Sequence, residues 1–349
     1  MAQVGTPRFY VSVLQWLKSL GKISIGDIYE IGATEQEALS LLDLNPAHTK
    51  VGDTPDDEYE SIQFKTDDSI ASYTHENKGF AMVLNHNFKS VDAKLKIVQE
   101  GSSCGTPGTD DIAVNANIDQ SEITPSYDGW SLWTFDDIND LQTAGIIKLL
   151  VSDAAGGTSG ASGSLRLGCL ALGNYYDMPH SPDLNLTMTR EYGGIKTLET
   201  KGGASLSNSF YRGSPAWDEA GAWELYTGTP SDKNLARSGR RVWDLSFSYL
   251  QDSDMFPDSS SLGWEGSYDT AALASGNILL NDNNFYSQVI HKTQGNLPFI
   301  FQPDGGGGVA GQGNFNPDQF AICKFDSGFK FDQVANGVYN VKLKIREVW

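Results

Sequence analysis

The sequence predicts a mainly β protein, and three observations carry that expectation. Apolar residues recur in short runs with a period of two. Aromatic residues make up 11% of the chain. Glycine (37 of 349 residues) and many Asp, Asn and Ser residues interrupt the chain at short intervals. Alternation marks half-buried strands, aromatic side chains suit a pleated surface, and Gly, Asn, Asp and Ser form turns. Short strands at irregular spacings of roughly 8–15 residues point to a β-sandwich or jelly roll.

Phe9 to Leu20 supports two readings: Phe9, Val11 and Val13 alternate as in a strand, while Phe9, Val13, Trp16, Leu17 and Leu20 share a helix face. Gly21 ends the run. A short helix is expected over Thr34 to Leu42, with Thr34 as cap and Glu37 three residues on. Asp43 to Asp68 is acidic and rich in breakers (Asn45-Pro46, Gly52-Asp53, Thr54-Pro55-Asp56), which sets a first boundary. An N-terminal segment over residues 1–50 is therefore followed by a jelly-roll-like domain over 51–180. In that domain Ala93, Leu95 and Ile97 alternate with Lys94 and Lys96, a strand with one wet face. Short apolar runs follow at Ile112–Val114, Trp130–Phe135, Ile146–Val151 and Leu165–Leu172.

A second β domain is expected over 181–349. Leu184, Leu186 and Met188 alternate with polar partners, and Trp243, Leu245, Phe247 and Tyr249 alternate with Asp244, Ser246 and Ser248. Asp282 to Gly295 reads as a short helix, capped by Asn283 or Asn284 and ended by Gly295. Pro298–Phe301 is a compact strand, followed by a flexible loop at Gly305–Gly308. Asn336-Gly337 signals a hairpin. In the last strand Tyr339, Val341, Leu343 and Ile345 oppose Asn340, Lys342, Lys344 and Arg346. Phe9 to Val13 needs a sheet partner, so residues 1–50 are expected to pack with the C-terminal domain.

The charge balance excludes some function classes. With 25 basic and 44 acidic residues the formal charge is −19, which disfavours nucleic acid and anionic membrane surfaces. The basic clusters, Arg237 with Arg240–Arg241 and Lys342, Lys344 and Arg346, are short. No apolar run approaches a membrane span, and the first residues lack the pattern of a signal peptide. Cys104, Cys169 and Cys323 form no CxxC pair, so they read as reduced thiols rather than a zinc or redox site.

Reactive constellations are likewise missing from the pattern. Gly156–Gly163 contains neither G-x-S-x-G nor the Lys of a phosphate loop, and Gly311-Gln312-Gly313 stops short of a dinucleotide fingerprint. His48, His75, His86, His180 and His291 lack metal spacing. Asp53, Asp56, Asp57, Glu58 and Glu60 suggest calcium but do not match its loop. Asp56-Asp57, Asp136-Asp137 and the pair Asp252, Asp254 are carboxylate pairs of a kind expected by chance in so acidic a chain. Trp130, Trp133, Trp217, Trp223 and Trp264 sit in turn-rich stretches, where they either pack or stack on glycans. No catalytic, cofactor-binding or metal-binding residue is assigned, and the chain reads as non-enzymatic.

The order Arg241-Val242-Trp243-Asp244-Leu245-Ser246-Phe247, a helix around Phe285–Gln294, Leu297-Pro298-Phe299-Ile300-Phe301, Phe320-Ala321-Ile322-Cys323-Lys324-Phe325 and Val338-Tyr339-Asn340-Val341-Lys342-Leu343-Lys344-Ile345-Arg346-Glu347-Val348 resembles the distal and minor tail proteins of long-tailed phages. Leu167-Gly168-Cys169-Leu170-Ala171-Leu172-Gly173-Asn174-Tyr175-Tyr176-Asp177-Met178-Pro179 looks like a junction found in phage structural proteins. The resemblance implies a β-sandwich or split barrel with a flanking helix in the second domain. It also implies assembly as a homo-oligomeric ring, trimeric or hexameric, with other tail proteins. The chain would be made in the host cytoplasm and located in the virion tail, where an acidic inner surface would let DNA pass by like-charge repulsion. The jelly-roll module would meet a partner protein or a host glycan. Carbohydrate-binding receptor recognition and capsid or head decoration are the alternatives.

Overall fold

The computed structural model describes residues 5–29, 33–47, 59–67, 70–75, 78–99, 112–114, 125–135, 146–153, 165–193, 196–208, 213–217, 221–226, 239–257, 278–306, 313–326 and 328–348. The protein is mainly β. In chain order its strands are β1 (Arg8–Ser12), β2 (Ile23–Tyr29), β3 (Tyr59–Thr66), β4 (Gly79–His86), β5 (Ala93–Gln99), β6 (Ile112–Val114), β7 (Gly129–Phe135), β8 (Ile146–Asp153) and β9 (Cys169–Asp177). They continue as β10 (Thr187–Glu191), β11 (Lys196–Glu199), β12 (Ser205–Asn208), β13 (Arg240–Gln251), β14 (Phe299–Gln302), β15 (Ala321–Phe325), β16 (Lys330–Ala335) and β17 (Val338–Glu347). An eleven-stranded antiparallel sheet has the order β10-β13-β17-β15-β14-β1-β9-β4-β7-β6, with β16 also on β17. A four-stranded sheet has the order β2-β3-β8-β5, and among the described residues β11 pairs only with β12.

The jelly roll is visible in the connectivity. From β3 to β9 the chain crosses between the two sheets at every step except β6 to β7, so β3, β8 and β5 lie over β4, β7 and β6. Ile62, Phe64, Ile147 and Leu149 of the small sheet meet Ala81, Val83, Trp133, Leu170 and Leu172 of the large one in a first core. The opposite face of the large sheet is not left wet. Phe80, Met82, Leu84, Trp130, Tyr10 and Ile300 pack there under Trp217, Trp223 and Phe320. Strands buried on both faces read as continuous apolar runs rather than alternating ones, which explains Leu167–Leu172.

The second core forms on one face of β1, β14, β15, β17 and β13. Phe9, Phe299, Phe301, Leu343, Ile345 and Trp243 face Phe285, Val289 and Ile290 of the flanking helical segment. Asn284 caps that segment by accepting from the Ser287 amide at 2.8 Å. Its middle, Tyr286–Ile290, winds as a π-helix. One edge of β17 is shared: Cys323 and Phe325 of β15 pair with its C-terminal part, and β16 pairs with its N-terminal part.

The N-terminal segment satisfies both readings of its sequence in succession. β1 ends at Ser12, whose Oγ accepts from the Gln15 amide at 3.3 Å and starts α1 (Val13–Ser19). The turn from strand to helix presses Val11 onto Gly173 of β9, where a Cβ would collide with the Val11 carbonyl. The helix α2 (Glu35–Ser40) starts with the capping box expected of Thr34 and Glu37. Residues 1–50, expected to pack with the C-terminal domain, meet both halves of the fold. β1 lies between β9 and β14, but Leu14, Ala38, Leu41 and Leu42 belong to the jelly-roll core, and β2 extends the small sheet. The boundary drawn at 180/181 falls between β9 and β10, two strands of the same sheet.

Two alternation readings also change. Tyr249 does not join Trp243, Leu245 and Phe247 inside. A bulge between Phe247 and Leu250 puts Tyr249 at φ 64° and turns it outward, 76% exposed, while Leu250 takes the buried place. Leu184 precedes the strand that its pattern suggested, and it is 92% exposed.

Candidate assembly surface

The considered reactive groups are placed in structural roles wherever they are described. His86 is buried, stacks on Phe88 and contacts Ser131 Oγ at 2.8 Å. Burial, helped by Arg166, pushes its pKa down to about 3, so the ring is neutral. His75 joins Asn174 through its backbone, and His180 Nδ1 lies 2.8 Å from the Ser181 carbonyl rather than its hydroxyl. His291 packs beside Trp16. Asp254 accepts from the Gln251 amide at 3.0 Å and caps a one-turn helix. Trp130, Trp133, Trp217 and Trp223 are all buried and present no open ring face. Cys169 and Cys323 are buried free thiols. His48, Cys104, Asp53–Glu58, Asp136-Asp137, Gly156–Gly163, Arg237 and Trp264 lie outside the described residues, as does the Glu60 side chain. Among the described residues no cluster of His, Cys, Asp or Glu is placed to hold a metal, and no helix is long and apolar enough to cross a membrane.

Arg8 and Arg241 are each matched with a carboxylate. Arg8 and Asp177 make a two-pronged bond at 2.7 and 2.9 Å in the interior. Arg241 bonds Glu347 through Nε and Nη2 and donates to the carbonyls of Asp318 and Phe320 at 2.6 Å each. Burial alone would lower the Arg241 pKa, but the Glu347 carboxylate more than offsets this and holds the guanidinium charged. Lys344 and Arg346, from the second basic cluster, pair with Asp326. These ion pairs knit strands together.

The unusual surface lies at the β10 edge of the large sheet. β10 carries exposed side chains, among them Met188, and among the described residues only β13 pairs with it. Four residues further on, β11 and β12 form a hairpin that belongs to neither sheet. In it Leu198 and Leu206 are register partners, 66% and 58% exposed. Two adjacent exposed leucines on an isolated pair of four-residue strands are unfavourable in water, because such a ribbon has no apolar face to cover.

Beside β10 the second core opens to solvent through a cavity of about 350 Å³. Leu186, Met188, Trp243, Leu245 and Phe301 form its apolar wall, and Arg190, Asp304, Asn314 and Asp318 stand among its polar lining. Arg241, 5.3 Å from the Trp243 ring, covers that indole and ties β13 and β17 to the 313–320 loop. An apolar floor with a polar rim is the composition of a protein–protein contact core. It is not a sugar platform, since the Trp243 ring is buried under Arg241.

Sequence reasoning missed this surface. Lys196–Glu199, Gly202-Gly203 and Ser205–Asn208 do carry a short-strand, turn, short-strand pattern. Its single leucines among Thr and Ser, however, look like isolated surface residues until pairing brings them together. No protein-family model, curated protein or solved structure matches the chain.

Proposed function

We propose that this chain is a non-enzymatic structural protein of a bacteriophage virion. It would be a tail-ring or tail-tip component that assembles with copies of itself and with neighbouring tail proteins. The observation that carries the assembly reading is the exposed Leu198–Leu206 pair of a hairpin that follows β10, the strand bordering the open cavity of the second core. An apolar patch of this kind marks a contact surface. The tail assignment rests on the sequence resemblance, whose quoted segments are β13, the flanking helix, β14, β15 and β17, the elements that enclose the second core. The ionisable groups locked in Arg8–Asp177 and Arg241–Glu347 favour a scaffold over a reaction centre. Glycan recognition and head decoration draw on the jelly-roll connectivity alone, since the described tryptophans are buried.

The test is the mass of the purified protein in solution by light scattering, against a chain mass of 37.9 kDa. A discrete trimer or hexamer is expected, with a concentration-dependent monomer fraction. A monomer at every concentration, together with a specific signal on a glycan array, would replace this reading with carbohydrate recognition.

A further inference from the structure

We propose that the β11–β12 hairpin of one copy docks on the β10 edge of the next, with Leu198 and Leu206 filling the cavity walled by Leu186, Met188, Trp243, Leu245 and Phe301. The inference rests on the self-assembly reading and names its contact.

Donor and acceptor are both on this chain. The hairpin presents an apolar pair that is 66% and 58% exposed, and no described hairpin residue lines the cavity. The cavity is the open end of a core whose other side is closed by Phe285 and Val289, and its apolar wall reaches solvent at the partly buried Leu186 and the exposed Met188. Charge favours the match. The hairpin sequence holds Lys196 and Lys201 against one acid, Glu199, in a chain of net charge −19. The cavity lining contributes Asp304 and Asp318 against one cation, Arg190, while its Arg241 is neutralised by Glu347, which leaves a net charge opposite to that of the hairpin.

Backbone geometry supports the same partner. The outer edge of β10 has no strand partner among the described residues, and an added strand would satisfy its amides and carbonyls. Gly193, at φ 53°, lies at the root of the hairpin, where a side chain would resist the turn away from β10. Because hairpin and cavity are different surfaces, the contact is head-to-tail. Such contacts close into a ring when the rotation per copy allows it.

The test uses the full chain with Cys104→Ser, since Cys169 and Cys323 are buried. Two single variants, Leu198→Cys and Met188→Cys, are mixed and oxidised at a concentration where the parent assembles. A disulfide-linked pair containing one of each is expected, and either variant alone should link far less. Leu198→Ser with Leu206→Ser should raise the assembly dissociation constant at least tenfold while leaving the melting temperature of the monomer unchanged, because both positions are exposed. An assembly that persists in that double variant, with no mixed cross-link, overturns the hairpin contact and leaves self-assembly standing. A parent chain that never assembles removes both. A cross-link forming within one chain that carries both cysteines, at dilutions where it is monomeric, would show the hairpin folding onto its own cavity and would also overturn the proposal.

Discussion

Lys292 is the most exacting single residue in the fold. It is fully buried at the end of the flanking helical segment, and its Nζ donates to Gln288 Oε1 at 2.6 Å. Burial lowers its pKa from 10.5 to about 7. Between those values the unfolded chain binds a proton that the folded chain does not, so stability rises with pH across that window. Below about 7 the folded protein carries the charge in its interior and bears the full desolvation cost. Lys292→Met, which keeps the volume and removes the charge, should therefore raise the melting temperature more at pH 6 than at pH 10. Melts followed by circular dichroism at the two pH values decide this, and an equal shift at both would mean that the ammonium is solvated in the folded state. Composition could not have revealed this lysine. It lies within the helix read from Asp282 to Gly295, but nothing in that pattern marks a lysine as buried.

At the scale of elements, the sequence was most legible where one side of a strand or helix end meets water. The capping box of Thr34 and Glu37, the Asn336-Gly337 hairpin and the alternating β17 all follow from local chemistry, and the structure has each of them. The strand–helix conflict over Phe9 to Leu20 arose because two elements share one run, with Ser12 as the switch between them. β13 was legible only up to its bulge. Period-two counting places Tyr249 inside, but one extra residue after Phe247 reverses the faces and gives the core Leu250 instead. That exchange has a measurable consequence. Leu250→Ala removes a fully buried side chain and should cost about 2–5 kcal/mol, whereas Tyr249→Ala, on an exposed side chain, should change stability by less than about 0.5 kcal/mol. Urea denaturation of the two variants tests the register directly, and the reverse order of effects would restore uninterrupted alternation. The assembly surface was illegible for a related reason. Leu198 and Leu206 become neighbours only through pairing, and the cavity joins residues from β10, β13 and β14 that are far apart in sequence.

At the scale of the whole molecule, the large sheet joins what sequence blocks separate. β9 hydrogen-bonds β4 of the jelly roll on one side and β1 on the other, and β1 passes the pairing on to β14. The second core takes Phe9 and Val11 from β1 and Tyr176 and Met178 from the end of β9 and just beyond it. A fragment of residues 181–349 lacks all four and leaves the β14 edge unpaired. Burial of Phe9, Val11 and Met178 alone is worth about 5–9 kcal/mol at 1.5–3 kcal/mol per side chain, comparable with the roughly 5–15 kcal/mol that holds a whole domain together. The fragment should therefore remain unfolded or aggregate, while the full chain should lose tryptophan fluorescence and far-ultraviolet circular dichroism in coincident urea transitions. The tryptophans report both halves, because Trp130 and Trp133 sit in the jelly roll and Trp243 lines the second core. A soluble 181–349 fragment with its own cooperative melt would mean that the second core closes without β1. The continuous sheet would then be a docking of two independent domains rather than one folding unit.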